Sequence, residues 1–162
     1  SHIAVAELNR HFGLQMEAVH YRGEAPMWQD LTAGVIQAAT GSYAAASNVL
    51  QSGAGKAIAV TQTKRLKKLP DVATFLEQGV AGRAFQLKGY ICAVGPTGIP
   101  PEIVQRLSDL MVEGGKSERV QKVLDTFGVD ESAFGHQDFR KLYDEENPVW
   151  IGLVQGLGLT PE

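Results

Sequence analysis

The sequence is poor in the residues that most often carry catalysis or metal binding. Cys92 is the only cysteine in 162 residues, so neither an internal disulfide nor a cysteine-based zinc site can form. The four histidines, His2, His11, His20 and His136, lack the spacing of metal ligands, and no G-x-G-x-x-G or Walker-type phosphate loop is present. We therefore expect no metal and no cofactor, and interpret His20, at the end of a predicted strand, as a packed histidine.

Positive charge and long apolar runs are also scarce. Lys and Arg number 15 against 18 Asp and Glu, and the net charge of −3 argues against a nucleic-acid partner, which usually needs a basic face. No apolar run approaches the roughly 20 residues that cross a bilayer. The opening residues lack the charged and then apolar pattern of a leader, so we expect no signal peptide in this sequence.

An enzyme is the weaker interpretation of the candidate polar residues. The segment Thr40-Gly41-Ser42 has a serine after a glycine, but it lacks the second glycine of the G-x-S-x-G nucleophile turn. The carboxylates of the first thirty residues are scattered singly, which does not indicate a matched acid and base. We predict that the chain has no catalytic residues.

Strand-like and helix-like segments alternate through the first half of the chain. This alternation predicts an α/β fold with a parallel-rich sheet flanked by helices. The predicted strands cover residues 16–21, 35–39, 57–61 and 85–94. Apolar residues at helical spacing predict an opening helix that Gly13 ends. Further helices are predicted from Pro26 to Ala33 with its stop at Gly34, from Tyr43 to Leu50 with its end near Gly53, and from Asp71 to a stop at Gly79.

The second half of the chain has the pattern of long helices. Three apolar stripes at helical spacing follow Pro101, which suits the first position of a helix. Gly128 is expected to end the second helix, and Pro148 is expected either to kink or to restart the third. If no other segment covers these stripes, the simplest substitute is another copy of the chain.

Two glycine-bearing turns form the candidate binding site. They are residues 22–25 and residues 40–42, each between a predicted strand and a predicted helix. If the two strands run parallel, their carboxyl ends share one edge of the sheet and both turns open into one crevice. Helix N-termini and the Thr40 and Ser42 hydroxyls could there donate hydrogen bonds to a carboxylate. The alternative is that both glycines only form tight turns and Ser42 only caps a helix.

A basic cluster lies between the two halves. Lys64, Arg65, Lys67 and Lys68 stand within the polar segment 62–70. Such a cluster is usually a solvated loop, and a surface for docking a partner is the alternative.

Several ordered motifs resemble one family of receptors. The segment V-H-Y-R-G-E-A-P (19–26), followed by Asp30-Leu31 and Gly34, is similar to V-P-Y-K-G-G-x-P…D-L…G-G of the Bug-type, TctC-like periplasmic solute receptors of tripartite tricarboxylate transporters. A-I-A-V-T (57–61), L-P-D-V-A-T (69–74) and P-T-G-I-P (96–100) resemble its A-L-A-V-T, L-P-D-V-P-T and P-x-G-T-P, and Trp150 with Gly158-Leu159 resembles its closing W…G-I. The likeness extends over essentially the whole chain.

The resemblance implies a periplasmic-binding-protein-like (type II, Venus-flytrap) architecture, with a small carboxylated metabolite held between two lobes. Residues 1–86 would form the second, ligand-binding lobe, and residues 87–162 the crossover strand and the helices that return to the first lobe. The implied partners are membrane transporter subunits or a sensor kinase, and the implied location is periplasmic. A partner-binding sensor domain of the same architecture, without a transport role, is the alternative function.

The resemblance also assigns candidate ligand residues. Tyr21, Arg22, Gly23 and Glu24 take the places of the second-lobe ligand loop, and Gly41 and Ser42 those of an Asp-Asn pair. Glu24 departs from the family, which has a second glycine there, and a carboxylate at that place would repel an anionic ligand. Either Glu24 points away, or this member prefers an amide, aromatic or cationic solute.

Overall fold

The computed structural model describes residues 2–87 and 89–157, and this part of the chain is mainly helical. The α-helices are α1 (His2–Phe12), α2 (Glu24–Thr32), α3 (Tyr43–Gln51), α4 (Pro101–Gly115), α5 (Glu118–Phe127) and α6 (His136–Gly156), and a short 3-10 helix spans Arg83–Phe85. Helix α2 packs on α3, α3 on α5, and α4 on both α5 and α6. The 3-10 helix contacts α1 and α6, which links the beginning of the chain to its last helix.

The segment after α1 is tied back to that helix. The side chain of Asn9 accepts a hydrogen bond from the Met16 amide and donates one to the Met16 carbonyl, both at 2.9 Å. These are the backbone groups that a strand would use to pair. The predicted strand 16–21 is not assigned as a strand, since its first residue is bonded to a side chain instead of a neighbouring strand.

Helix α2 ends as the sequence predicts. Gly34 has a left-handed backbone (φ 74°), its amide bonds to the Leu31 carbonyl at 3.1 Å, and the Val35 amide bonds to the Asp30 carbonyl at 2.9 Å. This is the paired bonding of a Schellman motif, which satisfies the last carbonyls of a helix. The predicted strand 35–39 is therefore not confirmed, because its first amide completes the helix end.

Parallel pairing is present at one point of the described chain. Val60 and Thr74 form an isolated parallel bridge, in which the Val60 amide donates to the Ala73 carbonyl at 3.3 Å and the Phe75 amide to the Val60 carbonyl at 3.1 Å. The bridge agrees in direction with the predicted parallel sheet. The described residues contain no longer strand, so the rest of that sheet is not confirmed.

The structure contradicts the predicted start of the strand 85–94. Phe85 closes the 3-10 helix, and Ile91 and Val94 are almost fully exposed, at 102% and 90%. Lys88, inside the same predicted strand, lies outside the described residues, as do Gly158 and Leu159 of the closing motif. A strand needs the backbone of a neighbour, and this segment meets none in the described chain.

The helix predicted from Asp71 is also wrong, because Thr74 is a bridge residue and residues 75–79 form turns. Thr74 and Glu77 bond reciprocally there: the Thr74 amide donates to the Glu77 carboxylate at 2.7 Å, and the Glu77 amide donates to the Thr74 hydroxyl at 3.0 Å. This is the exchange of a capping box, and Thr74 is fully buried. The exchange, which was not predicted, begins a turn in place of the helix expected from Asp71, and Thr74 also forms the bridge to Val60.

We expect the Glu77 turn to make stability depend on acid pH. Hydrogen bonds from Arg65 (3.0 Å) and then from the Thr74 amide lower the pKa of Glu77 below its ordinary value of 4.5. A depressed folded-state pKa contributes stability that is present above the unfolded pKa and is lost as pH falls through the folded pKa. Urea unfolding of the wild type and of Glu77→Gln, from neutral pH down to about pH 3, should show the two curves converging in acid.

The control for this prediction is Glu17→Gln, which removes one charge from an exposed residue. The difference between its free energy of unfolding and that of the wild type should stay constant as the pH falls. A Glu77→Gln variant that does the same would contradict the role assigned to the Arg65 ion pair.

The C-terminal helices follow the sequence pattern closely. Helix α4 begins at Pro101 and α5 ends at Gly128, as predicted. The Ser117 hydroxyl caps the start of α5. Helix α6 continues through Pro148 as one element, so the helix does not restart there. The apolar stripe of α4 is about half exposed, and its residues are Ile103, Leu107, Leu110 and Met111. Division of the chain near residue 86 and association of copies both stay predictions.

Buried hydrophobic side chains lie in two places in the described chain. The first is in the packed pair α2 and α3, where Met27, Ala46 and Val49 are buried. The second includes Phe85, whose ring packs on Phe75, and Val60, Val80 and Leu87 are buried in the same half of the chain. The contact between α2 and α3 brings the starts of these two helices together. None of the described helices is long and apolar enough to cross a membrane.

Candidate functional site

The two glycine-bearing turns, residues 22–25 and 40–42, meet at the starts of α2 and α3. We call the place where they meet the corner. Gly23 precedes α2, Glu24 is its first residue, and Ser42 is the residue that caps α3. The Ser42 amide and the Ser42 hydroxyl both donate to Oε2 of Glu24, each at 3.0 Å. The structure therefore places residues of both turns beside one another, although the two strands from which this was predicted are not confirmed. Their role in binding a ligand stays a prediction.

Ser42 has two functions in this arrangement. Its Oγ accepts a hydrogen bond from the Ala45 amide at 3.3 Å, which caps α3, while its hydroxyl donates to Glu24. A carboxylate at the start of a helix is stabilised by the free amides and by the helix dipole. The start of α3 is thus a carboxylate-binding arrangement, and a side chain of the protein itself provides the carboxylate.

Gly41 permits the close approach of Glu24 and Trp28. A Cβ atom at position 41 would stand 2.6 Å from Glu24 Oε2 and 3.0 Å from Cζ2 of Trp28. The Trp28 indole also donates to Glu24 Oε2, at 3.4 Å. Trp28 was not predicted as a site residue, although its position one helical turn after Glu24 is a signal that could have found it.

The remaining predicted site residues are arranged around this contact without joining it. The Tyr21 hydroxyl donates to Oδ2 of Asp30 at 2.7 Å, and this hydrogen bond raises the pKa of the Tyr21 phenol. Tyr21 thereby ties the loop to α2. Among the residues that the structure describes, the exposed Arg22 has no ion-pair partner, and the Thr40 hydroxyl makes no hydrogen bond.

A groove between α2 and α3 adjoins the corner. It has a volume of about 510 Å³ and a mainly apolar wall. Trp28 lines the groove and also bonds to Glu24. The other lining residues are Ala25, Gln29, Thr32 and Ala33 on the α2 side, and Ala45, Asn48 and Val49 of α3. The polar corner and the apolar groove together can contact a small molecule that has one polar end and a short hydrocarbon chain.

The basic cluster is partly paired within the chain. Arg65 bonds to Glu77 and to the Pro70 carbonyl, and Nζ of Lys68 lies 2.8 Å from Oδ2 of Asp125 in α5. These pairs fit the solvated-loop interpretation, because two of the four cations hold the loop against its neighbours. His20, in turn, packs edge-on against His2, with ring centroids 4.7 Å apart. The described residues include no group of three potential ligands around a metal position.

The comparison with known families gives one description for nearly the whole sequence. Residues 1–159 match the family model "Tripartite tricarboxylate transporter family receptor". A protein of Pseudomonas knackmussii, named "UPF0065 protein in clcB-clcD intergenic region", is 29% identical over 153 residues, which are 94% of this chain and 90% of the relative. "Protein BugT" of Bordetella pertussis is 25% identical over 146 residues, 90% of this chain and 44% of BugT.

A solved structure has a similar fold. It is described as "R. palustris Rpa4515 with adipate" and aligns with a TM-score of 0.83 and 26% sequence identity. The alignment covers 99% of this chain and 53% of the other. The chain thus spans about half the length of this protein and of BugT, and most of the Pseudomonas relative.

Proposed function

The chain belongs to the tripartite tricarboxylate transporter receptor family, and from this membership we propose that it is an extracytoplasmic solute-binding receptor that captures a small carboxylated metabolite. The observation that carries the proposal is the match over residues 1–159, together with a similar structure whose description names adipate. The family is one of periplasmic receptors, so we assign the protein to that compartment. Its partners would be membrane subunits of a tripartite transporter or a sensor kinase.

The proposed mechanism is binding without chemistry. A receptor of the Venus-flytrap type closes two lobes around its solute, and the closed form is the state that the membrane partner recognises. We place the corner formed by residues 21–24 and 40–42 on one rim of that cleft. Its support is geometric, because the two turns meet at the ends of α2 and α3 and adjoin an apolar groove.

We expect a carboxylic acid to raise the melting temperature of the protein. A ligand that binds only the folded state stabilises it by about 2.7 kcal/mol at a hundredfold excess over Kd. In a domain of this size the gain corresponds to an increase in Tm of about 5–10 °C. The measurement is a thermal-shift titration with adipate and other short straight-chain acids, including acids with an amide, a hydroxyl or an ammonium at the far end.

The control ligands are the diol and the diamide of the same carbon chain as adipate, which lack a carboxylate and should leave Tm unchanged. Sodium chloride at the same ionic strength separates binding from a salt effect. Absence of any shift across the whole acid panel would count against the receptor function.

A partner-binding sensor domain without transport is less well supported. Its proposed surface, the loop of residues 64–68, has Arg65 and Lys68 paired within the chain. In a docking surface, more of the cations would be expected to have no ion-pair partner within the chain, so that they can pair with the partner protein.

A further inference from the structure

The Glu24 carboxylate receives the hydrogen bonds that a bound carboxylate would receive at the start of α3. Its Oε2 accepts from the Ser42 amide (3.0 Å), the Ser42 hydroxyl (3.0 Å) and the Trp28 indole (3.4 Å). The absence of a side chain at Gly41 leaves room for this oxygen. Three hydrogen bonds from two residues, Ser42 and Trp28, thus hold one carboxylate oxygen.

A second carboxylate would be unfavourable at the same corner. The Ser42 amide and hydroxyl are already bonded to Glu24, and an approaching anion would meet the negative charge of Glu24 at close range. The other oxygen, Oε1, accepts none of the three hydrogen bonds, so it is oriented by them and remains an acceptor. The corner therefore presents a hydrogen-bond acceptor, Oε1 of Glu24, to a solute. With a glycine at position 24, the Ser42 amide and hydroxyl would instead be free to donate to it.

We infer that Glu24 is a specificity-determining residue, which excludes carboxylates from this corner and selects a solute whose end here is a hydrogen-bond donor, namely a hydroxyl, an amide or an ammonium group. The inference rests on the proposed function, since it concerns one end of the solute that the receptor captures. The carboxylate of that solute then lies at the opposite end, away from the start of α3. The apolar groove beside Trp28 suits the hydrocarbon between the two ends.

The test compares adipate with its monoamide, adipamate, on the full chain by isothermal titration calorimetry. The wild type should bind adipamate at least about tenfold more tightly than adipate, because adipate places a second anion near Glu24. Glu24→Gln keeps the size and the carbonyl acceptor but removes the charge. In this variant the affinity ratio should fall to within about threefold.

Glu118→Gln is the matched control. Glu118 is also the first residue of a helix and follows a capping residue, but it lies in α5, away from the corner. This variant should keep the ratio of the wild type. Equal or tighter binding of adipate by the wild type, or an unchanged ratio in Glu24→Gln, would overturn the inference while leaving the receptor function in place.

A second measurement is independent of any ligand. Hydrogen exchange of the Ser42 amide should be at least about tenfold faster in Glu24→Ala than in the wild type, because its acceptor is removed. An unchanged exchange rate would show that Glu24 does not occupy the start of α3, and would overturn the inference whichever acids bind. If no acid binds to any variant, the proposed function fails instead, and the exchange rate alone then decides whether the corner is closed to anions.

Discussion

Phe85→Ala is expected to lower the free energy of unfolding by about 3–5 kcal/mol, the usual cost of emptying a large aromatic site in a core. Phe85 is only 2% exposed, and its ring packs on Phe75 with centroids 4.6 Å apart and approaches His11 at 6.3 Å. The 3-10 helix that carries it contacts both α1 and α6. The loss should therefore be global, and urea unfolding followed by circular dichroism and by tryptophan fluorescence should report the same midpoint.

Phe134→Ala is the control for this substitution, since it removes the same atoms from a residue that is 41% exposed. Its expected cost is below about 1.5 kcal/mol, because less apolar surface returns to water and the site can collapse. If the two variants were equally destabilised, the region around Phe85 would not be the main core of this part of the chain.

The second large effect is expected from Gly128→Ala, at the end of α5. Gly128 has a left-handed backbone (φ 67°), which costs a residue with a Cβ about 1–2 kcal/mol. The new Cβ would also stand 2.5 Å from Cδ1 of Tyr43, so the ring must move at a further cost of about 1–3 kcal/mol. Tyr43 directly follows Ser42, and its displacement should also disturb the corner. Thermal unfolding and the exchange rate of the Ser42 amide measure the two effects.

Gly13→Ala separates the two contributions to this loss. Gly13 has nearly the same backbone (φ 63°), but no atom lies within 4 Å of the Cβ position there. It should lose only the backbone contribution, about 1–2 kcal/mol, and leave the Ser42 amide unaffected. Equal losses at the two glycines would mean that the α3–α5 contact through Tyr43 does not constrain the end of α5.

Local signals in the sequence predicted the helices well. Pro101 marks the beginning of α4, Gly128 the end of α5, and Gly34 the end of α2, each at the predicted place. Such signals act within a few residues, through a fixed φ, a missing amide or a left-handed backbone. They therefore need no knowledge of what lies across the fold.

The strands could not be predicted in the same way. An apolar run such as residues 57–61 becomes a strand only where another backbone offers partners. Within the part of the chain that the structure describes, Val60 alone of this run has such a partner, at Thr74. The helix predicted from Asp71 failed for a related reason: the Thr74–Glu77 exchange is local, but the bridge to Val60 directs it into a turn. Pairing between distant segments is not written in either segment alone.

By itself, the sequence determined the receptor family through ordered motifs, the ends of most helices, and the residue types gathered at two glycine-bearing turns. Only the tertiary structure decided that Glu24 of one turn would bond to Ser42 of the other, at 3.0 Å across eighteen positions of sequence. The physical reason is that a side chain's hydrogen-bond partner depends on which helices pack together. The packing of α2 on α3 sets that arrangement, and no pattern within a single turn contains it.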